Sequence, residues 1–250
     1  MFEELVKFWK DNLDLKSGNY FAAADKQLLE ENANLVPPQS FASFIKSKDY
    51  AEKNSQKVHV GLLPRPYSGD IENARIYFLM INPGFGPWDY FAEENPEYRK
   101  DAIQTLKQQR LDLQYPFSQL NPKFSWTGGG RYWNKKLAPL IKHIQIENEV
   151  SYQEAASWVS KQFAVLELFP YHSQTFGISN KLLNKLPSSQ VIKRCVQELA
   201  IKHPDRLIIV ARKVKMWGIN ENDNVLLFNN IEARGAHLRK KMETIQEYLK

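Results

Sequence analysis

An apolar run that ends abruptly in turn residues constrains this chain more than any other feature. Residues 76–81 read Ile-Tyr-Phe-Leu-Met-Ile, and Asn82, Pro83 and Gly84 follow directly. An unbroken apolar run of this length, bounded by turn residues, predicts a strand that is buried on both faces. Because ligands of open α/β sheets bind beyond the carboxyl ends of the strands, we expect Asn82 to lie at a functional edge. Taken alone, Asn-Pro-Gly is equally compatible with an ordinary tight turn.

Three further apolar segments extend the predicted sheet. They cover residues 164–169, 206–211 and 224–228, and helical patterns lie between them. Apolar strands that alternate with helices indicate an α/β protein with a mostly parallel sheet. We expect a single three-layer domain whose central sheet has four strands and is flanked by helices. An N-terminal helical arm at residues 1–60 would pack on this core domain at residues 61–250, which carries an aromatic-rich insertion at about 86–125.

Composition limits the class of protein. The chain has 250 residues, of which 43% are hydrophobic and 25% charged, as in ordinary globular proteins. The single cysteine, Cys195, excludes an internal disulfide framework and a cysteine zinc site, and we expect neither a metal nor a cofactor. The first residues lack the layout of a signal peptide, and no apolar run approaches the roughly 20 residues of a membrane span. We therefore expect a cytoplasmic protein, and the net charge of +6 favours a polyanionic partner without proving one.

Polar residues follow several of the predicted strands. Asn82 follows the first strand, His172 the second, and Asn229 and Asn230 the fourth. Because the carboxyl ends of parallel strands meet at one edge of a sheet, we expect these side chains to share one site. His172 is either a base, a hydrogen-bond donor to substrate, or an ordinary loop residue.

Three consecutive glycines, Gly128, Gly129 and Gly130, lead into a helical pattern. Exposed amide groups at such a helix start suit a phosphate or another anion. The Gly-Lys-Ser/Thr ending of an NTP-binding loop is missing, which disfavours that kind of site. On this local pattern an anion cradle and a flexible hinge are equally compatible.

Together these segments resemble the uracil-DNA glycosylase superfamily, nearest to its mismatch-specific (thymine/uracil) and single-strand-selective branches. Residues 81–84, Ile-Asn-Pro-Gly, are similar to the first motif of that superfamily in its variant with Asn. Residues 128–137 resemble the Gly-rich entry to the following helix, and residues 229–237 stand at the place of the second motif. The resemblance spans roughly residues 63–238, and only the first motif is specific.

The chain departs from that superfamily in three ways. Residues 85–126 are longer than the usual connection, and the second motif lacks its proline. The second strand ends in Phe169-Pro170-Tyr171-His172, where the superfamily usually has an Asn that reads the pyrimidine edge. These departures favour a modified base over plain uracil as the substrate.

The resemblance implies an enzyme that flips a uracil-like or modified base out of DNA and hydrolyses its N-glycosidic bond, in repair or defence. Asn82 would orient the attacking water, while Asn229 or Asn230 would contact the base or the abasic sugar. The implied base-binding residues are Phe85, Phe124, Trp126 and His172. The implied DNA-contacting residues are Gly128, Gly129, Gly130, Arg131, Lys213, Ile231 and Arg234. Single- or double-stranded DNA would be the partner, with no membrane and no obligate protein partner.

Two alternatives remain open at this level. An inactive nucleic-acid binder of the same fold would bind DNA without forming an abasic product. A small-nucleotide-binding α/β enzyme would use the glycine turn for phosphate and would have little salt-dependent affinity for DNA.

Overall fold

A computed structural model describes residues 1–229, 232, 238 and 241–249 of the chain. The strands of this part are β1 (Leu35–Val36), β2 (Val58–His59), β3 (Tyr67–Ser68), β4 (Ile76–Met80), β5 (Phe163–Glu167), β6 (Leu207–Val210) and β7 (Val225–Leu227). The helices are α1 (Phe2–Asn12), α2 (Lys26–Asn32), α3 (Phe41–Phe44), α4 (Lys48–Ala51), α5 (Trp88–Glu94), α6 (Pro96–Lys107), α7 (Gly128–Glu147), α8 (Tyr152–Gln162), α9 (Asn180–Lys185), α10 (Pro187–Lys202), α11 (Val214–Trp217) and α12 (Met242–Leu249).

The central sheet has the strand order β3-β5-β4-β6-β7, with β4 in the middle. The strands β5, β4, β6 and β7 run parallel, whereas β3 pairs antiparallel with β5 at the edge. The four predicted strands are present, but the predicted strand number is wrong because the sheet has five. The missed strand is only two residues long and lies between Pro66 and Gly69, so it has no detectable periodicity.

The sheet is covered by helices on both faces, as the apolar strands predicted. All five residues of β4 are buried, and their side chains alternate between two hydrophobic clusters. Tyr77 and Leu79 pack with residues of α1 and α10, while Phe78 packs with residues of α7, α8 and α12. This alternation follows from the period of two along a strand.

Local capping sets the starts of three of the helices. Ser151 and Glu154 form a capping box at the start of α8, and the Thr127 side chain accepts a hydrogen bond from Gly130 N at the start of α7. Asn95 caps α6, where proline occupies the first helical position. Both α7 and α8 therefore begin directly after a typical N-cap residue, Thr127 and Ser151 respectively.

The N-terminal residues contact the strand end that precedes His172. The hydroxyl of Tyr171, which is buried, donates to Asp25 Oδ2 (2.6 Å), and Asp25 Oδ1 accepts from Ser188 N (3.0 Å). The Trp9 ring of α1 lies edge-on to Tyr171, with ring centroids 6.3 Å apart. The division into an arm and a core domain stays a prediction. No helix among the described residues combines the length and apolar character needed to cross a membrane.

Candidate active site

A small polar pocket lies beyond the carboxyl ends of β4 and β5, beside the start of α7. Its volume is about 50 Å³. The lining residues are Arg65, Ser68, Pro83, Asp89, Tyr98, Ser118, Gln119, Phe124, Thr127, Gly129, Trp133, Val165, Glu167 and His172. The pocket therefore brings together the Asn-Pro-Gly turn, the end of the second predicted strand and the glycine turn, which are far apart in the sequence.

Asn82 is held beside the pocket by the end of the neighbouring strand. Its Nδ2 donates to the main-chain oxygen (3.2 Å) and to Oγ (3.1 Å) of Ser173. Gly84 adopts a positive φ of 74°, which turns the chain away from the sheet and leaves Pro83 in the pocket wall. Because Nδ2 is used by Ser173, the carbonyl Oδ1 is the atom of Asn82 that suits a water or a substrate hydroxyl.

His172 lines the pocket but is bound to main-chain oxygens on both sides of its ring. Nδ1 lies 2.9 Å from the carbonyl oxygen of Gly84, and Nε2 lies 3.1 Å from that of Leu63. Burial and the nearby Arg65 charge lower the pKa of His172 to about 4. A neutral imidazole donates from one ring nitrogen only, so one of the two carbonyls accepts at a time. In this arrangement His172 links the Asn-Pro-Gly turn to residue 63.

Two pocket residues that the sequence analysis did not select have side-chain oxygens without a described partner. Glu167 is only 7% exposed, and its Oε2 lacks a hydrogen bond among the described residues. Gln119 donates from Nε2 to Ser68 Oγ (2.9 Å), whereas its Oε1 has no partner within the same set. Burial raises the pKa of Glu167 well above its usual range, although the Arg212 charge opposes this effect. The sequence does contain a signal for this site, because Glu167 is the only charged residue in the apolar run at 164–169.

A partly buried arginine, Arg65, lines the pocket. Arg65 Nη2 donates to the hydroxyl of Tyr98 (2.6 Å), and the guanidinium lies 5.0 Å from the centroid of that ring. Burial lowers the pKa of Arg65, but Tyr98, Glu93, Asp101 and Asp89 act in the opposite direction and the pKa is raised overall. Arg65 therefore keeps its charge inside the pocket wall, surrounded by carboxyl groups.

The glycine turn is shaped by close packing of the main chain. A β-carbon added to Gly130 would lie 2.2 Å from the carbonyl oxygen of Phe124, a distance that no side chain tolerates. Gly129 lines the pocket, and Gly128 is exposed. The carboxyl group of Asp89 lies near this helix start, 3.7 Å from where a β-carbon of Gly128 would be. A carboxyl group of the protein itself is thus already close to the amides that would have held an anion. Arg131, at the same helix start, is exposed.

Of the three aromatic residues proposed to stack on a base, only Phe124 lines the pocket. Phe124 is buried and lies edge-on to Tyr98, with ring centroids 5.5 Å apart. Phe85 instead stacks on His59, with centroids 3.7 Å apart and ring planes 15° apart. The Gly86 amide beside it donates to Asp89 Oδ2 (2.7 Å), so this amide is already used within the protein.

Trp126 belongs to a group of exposed rings near the pocket. Its centroid lies 5.6 Å from that of Phe91 and 6.4 Å from that of Tyr98, which lines the pocket. Trp88 lies 5.9 Å from Phe91, and both rings are about half exposed. Trp88, Phe91 and Trp126 together form an aromatic surface. This surface adjoins Tyr98, which lines the pocket.

The remaining predicted contact residues lie away from the pocket lining or outside the described part. Lys213 has a positive φ of 50°, and its Nζ donates to Asn180 Oδ1 (2.9 Å). The Asn229 amide N donates to Glu232 Oε2 (3.0 Å), and Asn229 Oδ1 accepts from Glu232 N (3.0 Å). The predicted site residues Asn230, Ile231 and Arg234 lie outside the described residues.

Metal binding and known relatives add no assignment to this site. Within residues 1–229, 232, 238 and 241–249, no group of three or more His, Cys, Asp or Glu side chains could hold a metal ion. Protein-family models, curated proteins and solved structures give no significant match to this chain.

Proposed function

We propose that this protein is a DNA glycosylase that hydrolyses the N-glycosidic bond of a flipped uracil-like or modified base. The observation that carries the proposal is the polar pocket at the carboxyl edge of the parallel sheet, beside Asn82. Its lining joins Pro83 of the motif that resembles the superfamily to two buried oxygens, on Glu167 and Gln119, that have no described partner. Enclosed hydrogen-bonding groups suit the polar edge of a base that has been flipped out of the DNA double helix.

The reaction requires a positioned water and an environment that accepts the departing base. An amide does not titrate near neutral pH, so Asn82 would orient the water through Oδ1 while Ser173 fixes its Nδ2. The sugar becomes oxocarbenium-like as the bond breaks, and the base leaves with negative charge. The guanidinium of Arg65 and the polar groups of the pocket would stabilise that charge because they are already oriented and shielded from water.

The position of Asp89 argues against the small-nucleotide alternative. A phosphate at the start of α7 would meet a carboxyl group close to Gly128. Burial raises the pKa of Asp89, while the Gly86 amide and the charges of Arg65 and Arg131 lower it. Burial is the larger effect and the pKa is raised overall, so at pH values above it the carboxylate and a phosphate repel each other at short range. A neutral base is a better ligand for this pocket than a phosphate.

The test is base excision from oligonucleotides that carry uracil, uracil or thymine opposite guanine, hypoxanthine, or hydroxymethylated cytosine. Hot alkali converts abasic sites into strand breaks. We expect breaks with the wild-type chain, and a loss of roughly 100-fold or more in Asn82→Ala because the water is no longer oriented. Ser173→Ala should lower the rate by a smaller factor, since it removes one of the two acceptors that hold the Asn82 amide and keeps the main-chain oxygen.

Asn73→Ala is the matched control. Asn73 is exposed and donates to Asp70 in the turn before β4, away from the pocket lining. Its substitution should leave excision unchanged. Absence of breaks on every substrate, with salt-sensitive DNA binding retained, would instead favour the inactive binder.

A further inference from the structure

Two of the unpartnered buried atoms of this chain converge on one pocket. The described residues contain four buried side-chain atoms without a hydrogen-bond partner, on Trp9, Gln119, Glu167 and Ser188. Only Gln119 and Glu167 line the pocket. Buried polar atoms are rarely left without a hydrogen-bond partner, so two of them in one enclosed space point to a ligand that bonds to both.

We propose that Glu167 and Gln119 recognise the hydrogen-bonding edge of the base in this pocket, an inference that rests on the proposed function. Glu167 is the last residue of β5 and pairs with Met80 of β4. Met80 precedes Asn82 by two residues. Gln119 is held by its hydrogen bond to Ser68 of the edge strand. Both side chains are thus anchored to the sheet, which gives the precision that base reading requires.

The chemistry of the two groups specifies the edge that they fit. Burial raises the pKa of Glu167 and so favours the neutral acid, which offers an O–H donor beside a carbonyl acceptor. The Oε1 of Gln119 adds a second acceptor. A lactam edge, with C=O beside N–H as in uracil, thymine or hypoxanthine, accepts from the acid and donates to one of the acceptors. An ionised Glu167 has no donor and repels the carbonyl of such a base.

Several charged or titratable groups face the acid from the elements packed around it. They are Arg212 after β6, Tyr132 of α7, and Arg65, Asp89, Tyr98 and His172 of the pocket lining. Arg212 favours the ionised acid, but burial is the larger effect. Recognition of a lactam should therefore be complete at pH values below the raised pKa of Glu167 and should decline as the pH rises through it.

The size of the pocket determines how the base enters. A volume of about 50 Å³ holds a few water molecules, since one water needs roughly 10–15 Å³ by this measure. A pyrimidine ring is larger, so its edge would displace those waters and its body would press against Phe124. The unpaired oxygens would exchange water for the base without a net loss of hydrogen bonds.

The experiment measures kcat/KM against pH for wild type, Glu167→Gln, Glu167→Leu and Gln119→Leu on the best substrate found. Glu30→Gln, an exposed change on α2, is the matched control. We expect Glu167→Leu and Gln119→Leu to lower kcat/KM by roughly 10- to 100-fold. Glu167→Gln should cost about 3- to 10-fold and remove the decline at high pH, because its amide donor does not titrate. Unfolding temperatures show whether Glu167→Leu folds, and Glu167→Gln carries the test if it does not.

A second measurement separates the fate of this inference from that of the proposed function. Binding of free uracil is followed by the fluorescence of the tryptophans, one of which, Trp133, lines the pocket. If wild type and all Glu167 and Gln119 variants excise the base at the same rate and with the same pH dependence, the inference is overturned. The proposed glycosylase activity would still stand. No excision, but uracil binding that Glu167→Leu abolishes, would overturn the glycosylase and support the inference. Neither excision nor uracil binding would overturn both.

Discussion

Gly130→Ala should destabilise the protein because its added β-carbon has no space. That atom would lie 2.2 Å from the Phe124 carbonyl oxygen and 3.0 Å from Ser125 Cα. Main-chain atoms cannot rotate away, so the start of α7 has to move. Overpacking of this kind costs about 1–3 kcal/mol, and the better helix propensity of alanine returns up to about 1 kcal/mol. Because the clash is with main-chain atoms, we expect the cost to lie near the upper end of that range. The net loss of about 2 kcal/mol corresponds to a Tm lower by roughly 4–8 °C in a chain of this size.

Gly128→Ala provides the comparison within the same turn. The nearest heavy atom to its added β-carbon is Asp89 Oδ1 at 3.7 Å, which is an ordinary van der Waals contact. We expect its Tm to be unchanged or slightly higher, measured by thermal unfolding followed by circular dichroism. Equal Tm values for the two variants would refute the steric explanation and would favour the flexible hinge as the reason for the glycines. Because Gly130 packs against the main chain of Phe124, Gly130→Ala should also slow base excision.

Two further predictions concern acid stability and the aromatic surface. The folded pKa of His172 is about 4, below its unfolded value of about 6.5, so the unfolded chain gains the proton first as the pH falls. Between pH 6.5 and 4 His172 should contribute a loss of up to roughly 3 kcal/mol to the free energy of unfolding, as measured by urea unfolding. His172→Gln should remove this share of the loss, whereas the share of His59, whose pKa burial also lowers to about 4, should remain. The double variant Trp88→Ala, Phe91→Ala should weaken binding of single-stranded DNA by about 1–3 kcal/mol per lost base stack. Binding is measured by fluorescence-anisotropy titration. Tyr152→Ala, which removes an exposed ring on α8, should leave the DNA affinity unchanged.

The sheet was largely predictable from sequence, because short continuous apolar runs bounded by turn residues are typical of buried strands. The run at residues 76–81 became β4, the central strand, and the runs after it became its parallel neighbours. The edge strand β3 was missed since two residues contain no pattern. Its presence depends on antiparallel pairing with β5, a contact between residues that are about a hundred positions apart.

The candidate site was less predictable, because its chemistry depends on which polar groups are buried together. Asn82 was selected from the turn that follows a strand, and its contact with Ser173 was beyond the reach of that reasoning. Glu167 was visible as a carboxyl residue in an apolar run, yet nothing in the sequence placed Gln119 near it. Phe85 was a reasonable candidate by proximity to the motif, but its ring stacks on His59, which no local pattern indicates.

The position of β4 in the sheet has a consequence for how the chain reaches this structure during synthesis. Its two neighbours begin at Phe163 and Leu207, so five apolar residues leave the ribosome long before either hydrogen-bonding partner exists. Non-local parallel pairing closes long loops and is therefore slow. In that interval the nascent segment at residues 76–80 is an exposed, uncharged β-former, the kind of sequence that self-associates or recruits chaperones. The strand that places Asn82 beside the pocket is thus also a segment of the nascent chain that needs protection until its neighbours have been synthesised.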